Sequence, residues 1–165
     1  MNASVHADTA AALHEVLAAA VPDLHSLCRD PWTLIGSAAA RLAGAEVAVA
    51  DLDVLTSVRD AETLIGHWRA RRDATYVPRG EERFRSRFAR FRSPGLPVEV
   101  MGGLELCSER GWEPVRIGEI VTVNVAGLAI PIPTVAEQIR VLENFGRPKD
   151  LQRAALLKCL GGERQ

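Results

Sequence analysis

The sequence predicts a single α/β domain in which helices flank a mixed central β-sheet, and three observations lead to this prediction. The chain has 165 residues, which is about the size of one domain. Apolar residues make up 47% of it and charged residues 25%, a composition typical of globular proteins. Helical and strand-like segments alternate without an internal repeat or a low-complexity linker. We therefore expect one domain over residues 1–165.

The beginning of the chain predicts a helix, a strand and a second helix. Apolar residues between Leu13 and Ala20 recur at helical spacing, and Pro22 is expected to end this first helix, over residues 1–22. Residues 32–35 form a short apolar run after a turn-forming segment, which predicts a buried strand. Gly36 and Ser37 then lead into an alanine-rich helix.

A second strand, helix and hairpin are expected next. Residues 47–55 predict a strand, and Ser57 is a plausible N-cap for a helix that turns Leu64 and Trp68 inward. Phenylalanine and arginine nearly alternate over 84–92, and a Pro94–Gly95 turn precedes the apolar segment 98–101, so a hairpin is predicted. A phase shift in the first of these strands predicts a bulge or an early end.

The C-terminal part predicts more strand and two helices. Residues 115–132 are rich in β-formers, with turn signals at Gly118 and Gly127. Thr134 and Glu137 have the spacing of a capping box, and Gly146 is expected to end the helix that they begin. A last helix is predicted from Pro148 to Leu160, followed by a frayed tail over 161–165.

Cysteine content and hydropathy limit the class of protein. Cys28, Cys107 and Cys159 are odd in number and far apart, so they predict neither a disulfide framework nor a zinc site. No segment approaches the roughly 20 apolar residues that a bilayer span requires, and the N-terminus lacks the pattern of a signal peptide. We expect a cytoplasmic protein without a membrane segment.

Asp51 and Asp53 are the strongest candidates for chemistry. Residues two apart on a strand project from the same face, so both carboxylates would meet at one point. They interrupt an otherwise apolar segment, where an unpaired charge would be costly. A hard divalent cation with oxygen ligands would allow both to stay ionised, which favours Mg²⁺, with Mn²⁺ as the alternative ion.

Two further features complete the candidate site. Gly36 and Ser37 stand between a strand and a helix, where backbone amides and a hydroxyl can bind phosphate oxygens, although Ser37 could equally be a simple helix cap. Glu99 is a lone acid in the apolar strand 97–101. If this strand pairs beside that of Asp51 and Asp53, the three carboxylates could hold one or two metal ions. Glu99 on an edge strand facing solvent is the alternative.

These motifs resemble those of the DNA polymerase β-like nucleotidyltransferase superfamily. The resemblance covers about residues 32–157 and depends on Leu34-Ile35-Gly36-Ser37, Asp51-Leu52-Asp53-Val54 and Val98-Glu99-Val100. Residues 132–134 and 146–151 are similar to the closing segment of minimal bacterial members, including the AbiE-type toxin nucleotidyltransferases.

The resemblance implies a role for each matched residue. Gly36 and Ser37 would bind the triphosphate of ATP or another nucleotide, and Asp51, Asp53 and Glu99 would be the catalytic, metal-binding carboxylates. Lys149 would approach a nucleotide phosphate, and Asp150 would orient it or complete the site. The alternative for this last pair is an ordinary helix N-terminus. The chain departs from the family pattern at Ala50, where a basic or hydroxyl residue is common, and at Glu99, where Asp is commoner.

The function implied is metal-dependent transfer of a nucleoside monophosphate from a nucleoside triphosphate to an acceptor hydroxyl of a small molecule, an RNA or a protein. An arginine-rich segment from Arg69 to Arg92 tilts the expectation toward a polyanionic acceptor such as RNA. The chain leaves little room for a second domain over the acceptor, which a homodimer or an antitoxin-like partner could provide. The alternatives are a catalytically degenerate nucleotide-binding or interaction module and, less favoured, a glycosyltransferase.

Overall fold

The computed structural model describes residues 2–78 and 82–162, with side chains described from residue 9 to residue 161. One mixed sheet, a separate two-stranded ribbon and five α-helices make up this part of the chain. The helices are α1 (Asn2–Leu27), α2 (Gly36–Leu42), α3 (Val58–His67), α4 (Val135–Phe145) and α5 (Pro148–Gly162), with a short 3₁₀ turn over Arg69–Arg71. The strands are β1 (Thr33–Ile35), β2 (Leu52–Thr56), β3 (Phe84–Phe91), β4 (Val98–Ser108), β5 (Gly111–Pro114), β6 (Ile120–Val125) and β7 (Leu128–Pro133).

The five-stranded sheet has the order β1-β2-β4-β3, and β5 pairs with the far end of β4. All of its pairs are antiparallel except β2 with β4, which run parallel because α3 and β3 lie between them in sequence. β6 and β7 form a separate hairpin that contacts β1 and α1. The predicted mixed sheet with flanking helices is confirmed.

Helices α1 and α3 cover one face of the sheet and build the main core. Buried residues of α1, such as Leu17 and Leu24, pack with Val54 of β2, Val100 of β4 and Leu64 of α3. On the other side, α4 lies over β1 and β2, where Val141 and Phe145 pack with Ile35 and Leu55. The N-terminal part of β2, with Asp53, therefore lies between packed layers.

The first helix continues beyond Pro22, where we expected it to end, and reaches Leu27. Its buried stripe explains the difference, because Val21 and Leu24 are fully buried around the proline. Packing of these side chains outweighs the backbone hydrogen bond that proline cannot donate.

The second strand is shorter than predicted. Residues 47–51 are outside any strand, and the ladder begins at Leu52, whose N–H donates to Pro97 O at 2.9 Å. Val47 and Val49 are buried while their neighbours are exposed, so the segment has strand-like alternation without a paired strand. Asp51 therefore lies immediately before β2 and not within it.

Other strands differ in extent from the prediction: β4 continues past residue 101 to Ser108 because β3 and β5 pair with its second half, β5 was not predicted, and residues 115–119 lie outside any strand. The 84–92 hairpin forms with its turn near Pro94–Gly95, and the first strand has a bulge between Arg85 and Arg87, earlier than the phase change after Phe88 that predicted it. Ser57 caps α3 and Thr134 caps α4, each through its hydroxyl. The last helix extends to Gly162, two residues beyond the predicted end at Leu160, and residues 163–165 of the predicted frayed tail lie outside the described part of the chain.

A candidate metal and nucleotide site

The parallel pair of β2 and β4 brings the candidate carboxylates together. Asp53 lies directly beside Glu99 in the register, and Asp51 precedes β2 on the same side. One carboxylate oxygen of each of the three residues lies within 4.8 Å of the others. Because β4 has partners on both sides, Glu99 is on an interior strand, and the edge-strand alternative is wrong. The predicted triad forms.

The triad concentrates negative charge in a confined place. Burial of Asp53, together with the neighbouring charges of Glu99 and Asp51, holds the pKa of the Asp53 carboxyl well above its usual range, although Arg153 of α5 opposes this. A cation among the three oxygens would remove the repulsion. Carboxylate oxygens are the donors that hard divalent ions prefer, so the donor set fits such an ion.

Gly36 lies against the carboxylate of Asp53. Ile35 pairs with Asp53 across β1 and β2, and the chain turns at Gly36 with a φ of +70°. A Cβ at this position would lie 2.5 Å from Asp53 Oδ2, closer than any side chain tolerates. Only glycine satisfies both the left-handed backbone and this close approach. The sequence-predicted Gly-Ser turn and the acidic pair are therefore in direct contact.

The other predicted nucleotide-binding residues differ in their surroundings. Ser37 is in the first turn of α2 and only 4% exposed. Lys149 is exposed in the first turn of α5, where its ammonium is free to reach solvent or a ligand. Asp150 is fully buried and accepts hydrogen bonds from the Arg147 guanidinium at 2.6 and 3.1 Å. These contacts give Asp150 a structural function at the start of α5.

Arg90 is the main site residue that the sequence reasoning missed. It lies opposite Glu99 in the β3–β4 register, and its Nη1 donates to Glu99 Oε1 at 2.5 Å and to Asp51 Oδ1 at 2.9 Å. Its guanidinium lies 4.5 Å from the centre of the Tyr76 ring. The hairpin turn at Pro94–Gly95 contained a usable signal, since strands folded about it place position 90 close to position 99.

The arginine-rich segment does not present one continuous basic surface. Arg85 pairs with Glu105, Arg87 pairs with Glu62 of α3, and Arg90 pairs with the triad. These three arginines thus have acidic partners from different elements. Arg79 lies outside the described residues. The segment therefore offers a polyanion less free positive charge than its composition indicates.

An open groove of about 360 Å³ lies near the C-terminal end of β2. Its lining is mainly apolar and includes Trp32, Leu55, Leu104, Ile117 and Ile120. Leu55 is two residues from Asp53 on the same strand, so the groove begins on the side of the sheet that carries the triad. The three carboxylates do not line it.

Structural comparison finds solved nucleotidyltransferases whose overall fold is similar to that of this chain. A presumed nucleotidyltransferase from Thermotoga maritima, TM1012, superposes with a TM-score of 0.68 at 23% identity, covering 89% of this chain and 91% of its own. The lincosamide antibiotic adenylyltransferase LnuA, solved with lincomycin bound, superposes with a TM-score of 0.55 at 13% identity, covering 86% of this chain and 94% of its own. The antibiotic-resistance factor ANT(2'')-Ia superposes with a TM-score of 0.51 at 15% identity, covering 93% of this chain and 84% of its own.

The chain therefore has the nucleotidyltransferase fold. No protein-family model matches the chain, and no curated protein matches it in sequence. Among the described residues, no helix is both long enough and apolar enough to span a bilayer.

Proposed function

We propose that the protein is a metal-dependent nucleotidyltransferase that moves a nucleoside monophosphate from a nucleoside triphosphate to an acceptor hydroxyl. The observation that carries the proposal is the contact between the Gly36 turn and a triad of carboxylates. The fold alone would not justify an activity, because one fold hosts many functions. Phosphate-binding backbone and metal-binding oxygens at one point are the minimum that phosphoryl transfer requires.

Asp51, Asp53 and Glu99 are the residues that would hold the metal, for which Mg²⁺ is the favoured ion and Mn²⁺ the alternative. Bound there, the ion would neutralise phosphate oxygens and lower the pKa of a coordinated hydroxyl. The acceptor oxygen forms a bond to the α-phosphorus while the bond from that phosphorus to the bridging oxygen breaks, and pyrophosphate leaves with the electron pair. Glu99 is our candidate for accepting the hydroxyl proton at a carboxylate oxygen.

Gly36 and Ser37 would bind the triphosphate from the side of β1. The absence of a side chain at Gly36 lets its backbone lie directly against the Asp53 carboxylate. Lys149 is exposed at the start of α5 and would approach a nucleotide phosphate. We assign Asp150 no contact with the nucleotide, since its buried carboxylate binds Arg147 at the start of α5.

The acceptor hydroxyl could belong to a small molecule, an RNA or a protein side chain. Arg85 and Arg87 form ion pairs within the chain, which weakens the expectation of an RNA acceptor. The AbiE-type relation, an antitoxin partner, a homodimer and a cytoplasmic location remain predictions from the sequence.

A second candidate function is a degenerate module that binds nucleotide without turnover. One observation favours it: Arg90 already hydrogen-bonds two of the three carboxylates. A module of this kind would bind nucleoside triphosphates without a divalent ion, or bind them with the ion and leave them intact.

Calorimetric titration of each nucleoside triphosphate, with and without Mg²⁺, tests the proposal. The wild type should bind at least one of them in an Mg²⁺-dependent way, and the isosteric variant Asp51→Asn/Asp53→Asn should lose that binding. The matched control is Glu62→Gln/Glu105→Gln, which neutralises two acids that pair with arginines away from the triad. Equal binding by all three proteins would contradict the assignment of the site. Binding without release of pyrophosphate in an acceptor screen would favour the degenerate module.

A further inference from the structure

We infer that Arg90 acts as a resident cation of the site, which competes with the metal ion for Asp51 and Glu99 and gives way when a nucleotide arrives. The inference rests on the proposed function, because it concerns the same carboxylates. It predicts that metal and nucleotide bind cooperatively, each weakly alone.

The geometry of Arg90 supports this. A single nitrogen, Nη1, donates to both carboxylates, at 2.9 Å to Asp51 and 2.5 Å to Glu99. The side chains of Arg90, Asp51 and Glu99 are 20%, 28% and 13% exposed, so solvent screens these ion pairs only in part. The guanidinium therefore occupies oxygen atoms that a metal ion would need.

Arg90 is also held in place by aromatic side chains. Its guanidinium lies over Tyr76, and the Tyr76 ring stacks on Phe88 with ring centres 5.9 Å apart. Phe88 is two residues before Arg90 on β3, so its side chain projects from the same face. A cation–π contact of this kind stabilises the resident position and raises the free energy required to displace the arginine.

Binding of a metal ion must disturb this arrangement. A divalent cation coordinated by Asp51 and Glu99 would stand within contact distance of the guanidinium, and two cations at such a distance repel. No hydrogen bond joins Arg90 to Asp53 in the described part of the chain, so the arginine competes with a metal ion for Asp51 and Glu99 and not directly for Asp53. Arg90 then has to leave at least one of its two carboxylates.

A displaced Arg90 would have a natural new partner. Guanidinium groups bind phosphate oxygens with paired hydrogen bonds, and a nucleoside triphosphate held at Gly36 would bring such oxygens to the edge of the triad. Nucleotide binding would stabilise the displaced arginine, and the vacated carboxylates would then accept the metal. This exchange links the two ligands through one side chain.

Titration of Mn²⁺ alone into the protein, followed by electron paramagnetic resonance and calorimetry, tests the inference without measuring turnover. Arg90→Met removes the charge and keeps most of the apolar stem, so it should bind Mn²⁺ about ten-fold more tightly than wild type, the effect of one charged hydrogen bond. The matched control is Arg87→Met, which removes an arginine of the same strand that pairs with Glu62 of α3. It should bind Mn²⁺ like wild type. In wild type a non-hydrolysable nucleotide should tighten Mn²⁺ binding, and in Arg90→Met this effect should shrink.

Equal or weaker Mn²⁺ binding by a folded Arg90→Met would overturn the inference and leave the proposed function standing. If neither wild type nor Arg90→Met binds Mn²⁺, with or without nucleotide, the inference and the proposed function fail together.

Tyr76→Leu gives a second test if Arg90→Met does not fold. This variant removes the ring that contacts the Arg90 guanidinium. Because the arginine then loses a cation–π contact, Mn²⁺ affinity should rise about two- to three-fold. Unchanged affinity in Tyr76→Leu would count against the inference.

Discussion

Gly36 lies so close to Asp53 that no side chain fits between the Gly36 backbone and the Asp53 carboxylate. The sequence predicted both residues as parts of a site because a Gly-Ser turn between a strand and a helix is followed by a strand with an Asp-x-Asp pair, a combination that is more specific than either feature alone. It could not predict their contact, which depends on Ile35 pairing with Asp53 across β1 and β2. Local patterns identified the residues, and the register of the sheet determined the geometry.

Substituting Gly36 by alanine should damage both stability and ligand binding. The backbone at Gly36 is left-handed, and the new Cβ would meet Asp53 Oδ2 at 2.5 Å. We expect a loss of about 2–4 kcal/mol in the free energy of unfolding, from backbone strain and from displacement of the carboxylate. Divalent metal binding should weaken at least ten-fold. Urea denaturation and Mn²⁺ titration would measure the two effects.

Gly127→Ala is the matched control for this variant. Gly127 has a φ of +83° in the β6–β7 turn, and nothing lies within 4 Å of the position that its Cβ would occupy. This control therefore carries the backbone strain without the collision, and it should cost about 1–2 kcal/mol while metal binding stays unchanged. If both alanine variants behaved alike, the contact between Gly36 and Asp53 would have no separate effect.

Arg90 shows why part of the site was missed in the sequence, where only its position relative to the predicted hairpin turn pointed to Glu99. Within the arginine-rich segment, nothing in its own sequence surroundings distinguishes it from Arg85 or Arg87. The distinction comes from the hairpin register, which pairs Arg90 with Glu99 and Arg87 with Gly102, and from strand alternation, which places Arg87 on the opposite face from Arg90.

Helix α4 is anchored at its first turn by a glutamate that does not complete the expected capping box. Thr134 caps the helix through the N–H of Glu137, as the sequence predicted. The Glu137 carboxylate instead accepts the N–H of Gly118 at 2.5 Å and a hydrogen bond from Arg140. It thereby ties the loop before β6 to α4.

The pKa of Glu137 predicts an acid-sensitive contribution to stability. Hydrogen bonds from Arg140 and from the Gly118 N–H lower the pKa of its carboxyl from 4.5 to about 2. Because the pKa is depressed in the folded protein, this stabilisation is fully present above about pH 4.5 and disappears as the pH falls through about 2. Arg140 is exposed, so we expect only about 1–2 kcal/mol after screening.

Thermal unfolding of wild type and Glu137→Gln between pH 2 and pH 7 would measure this contribution. The variant should unfold at a lower temperature than wild type at pH 6, and the difference should narrow toward pH 2. Glu143→Gln is the control, since Glu143 forms only an exposed ion pair with Lys158. A difference between wild type and Glu137→Gln that stays constant with pH would contradict the assignment.

Helix α3 is joined to the end of α1 through buried Asp60. Its carboxylate accepts the backbone N–H groups of Arg29 at 3.0 Å and of Asp30 at 2.7 Å, and the residue is 1% exposed. Asp60→Ala would leave two donors without an acceptor, so we expect a loss of about 2–4 kcal/mol in the free energy of unfolding. Thr63→Ala, which removes an exposed hydroxyl of the same helix, should change it by less than about 0.5 kcal/mol. Comparable losses in urea denaturation of the two variants would contradict the anchoring function.

At the scale of the whole molecule, the sequence predicted the kinds of element and their order better than their ends. Caps and glycines were reliable because their chemistry is local, as at Ser57, Thr134 and Gly146. The predicted end of α1 and the predicted start of β2 were wrong because tertiary packing determines both positions. Leu24 is buried beyond Pro22, and β2 begins only where β4 provides a partner. Tertiary contacts outweighed local signals at both positions.

The parallel alignment of β2 and β4 also has a consequence for folding. Asp53 and Glu99 are far apart in sequence, so the triad cannot exist until the chain segment between them has closed into a loop. Closure of a loop this long has an entropic cost and is slow compared with local hairpins. A divalent ion bound across the two strands would act only on the closed form, and would slow the reopening of this pair. Amide hydrogens of β2 would then exchange more slowly with solvent when the ion is bound.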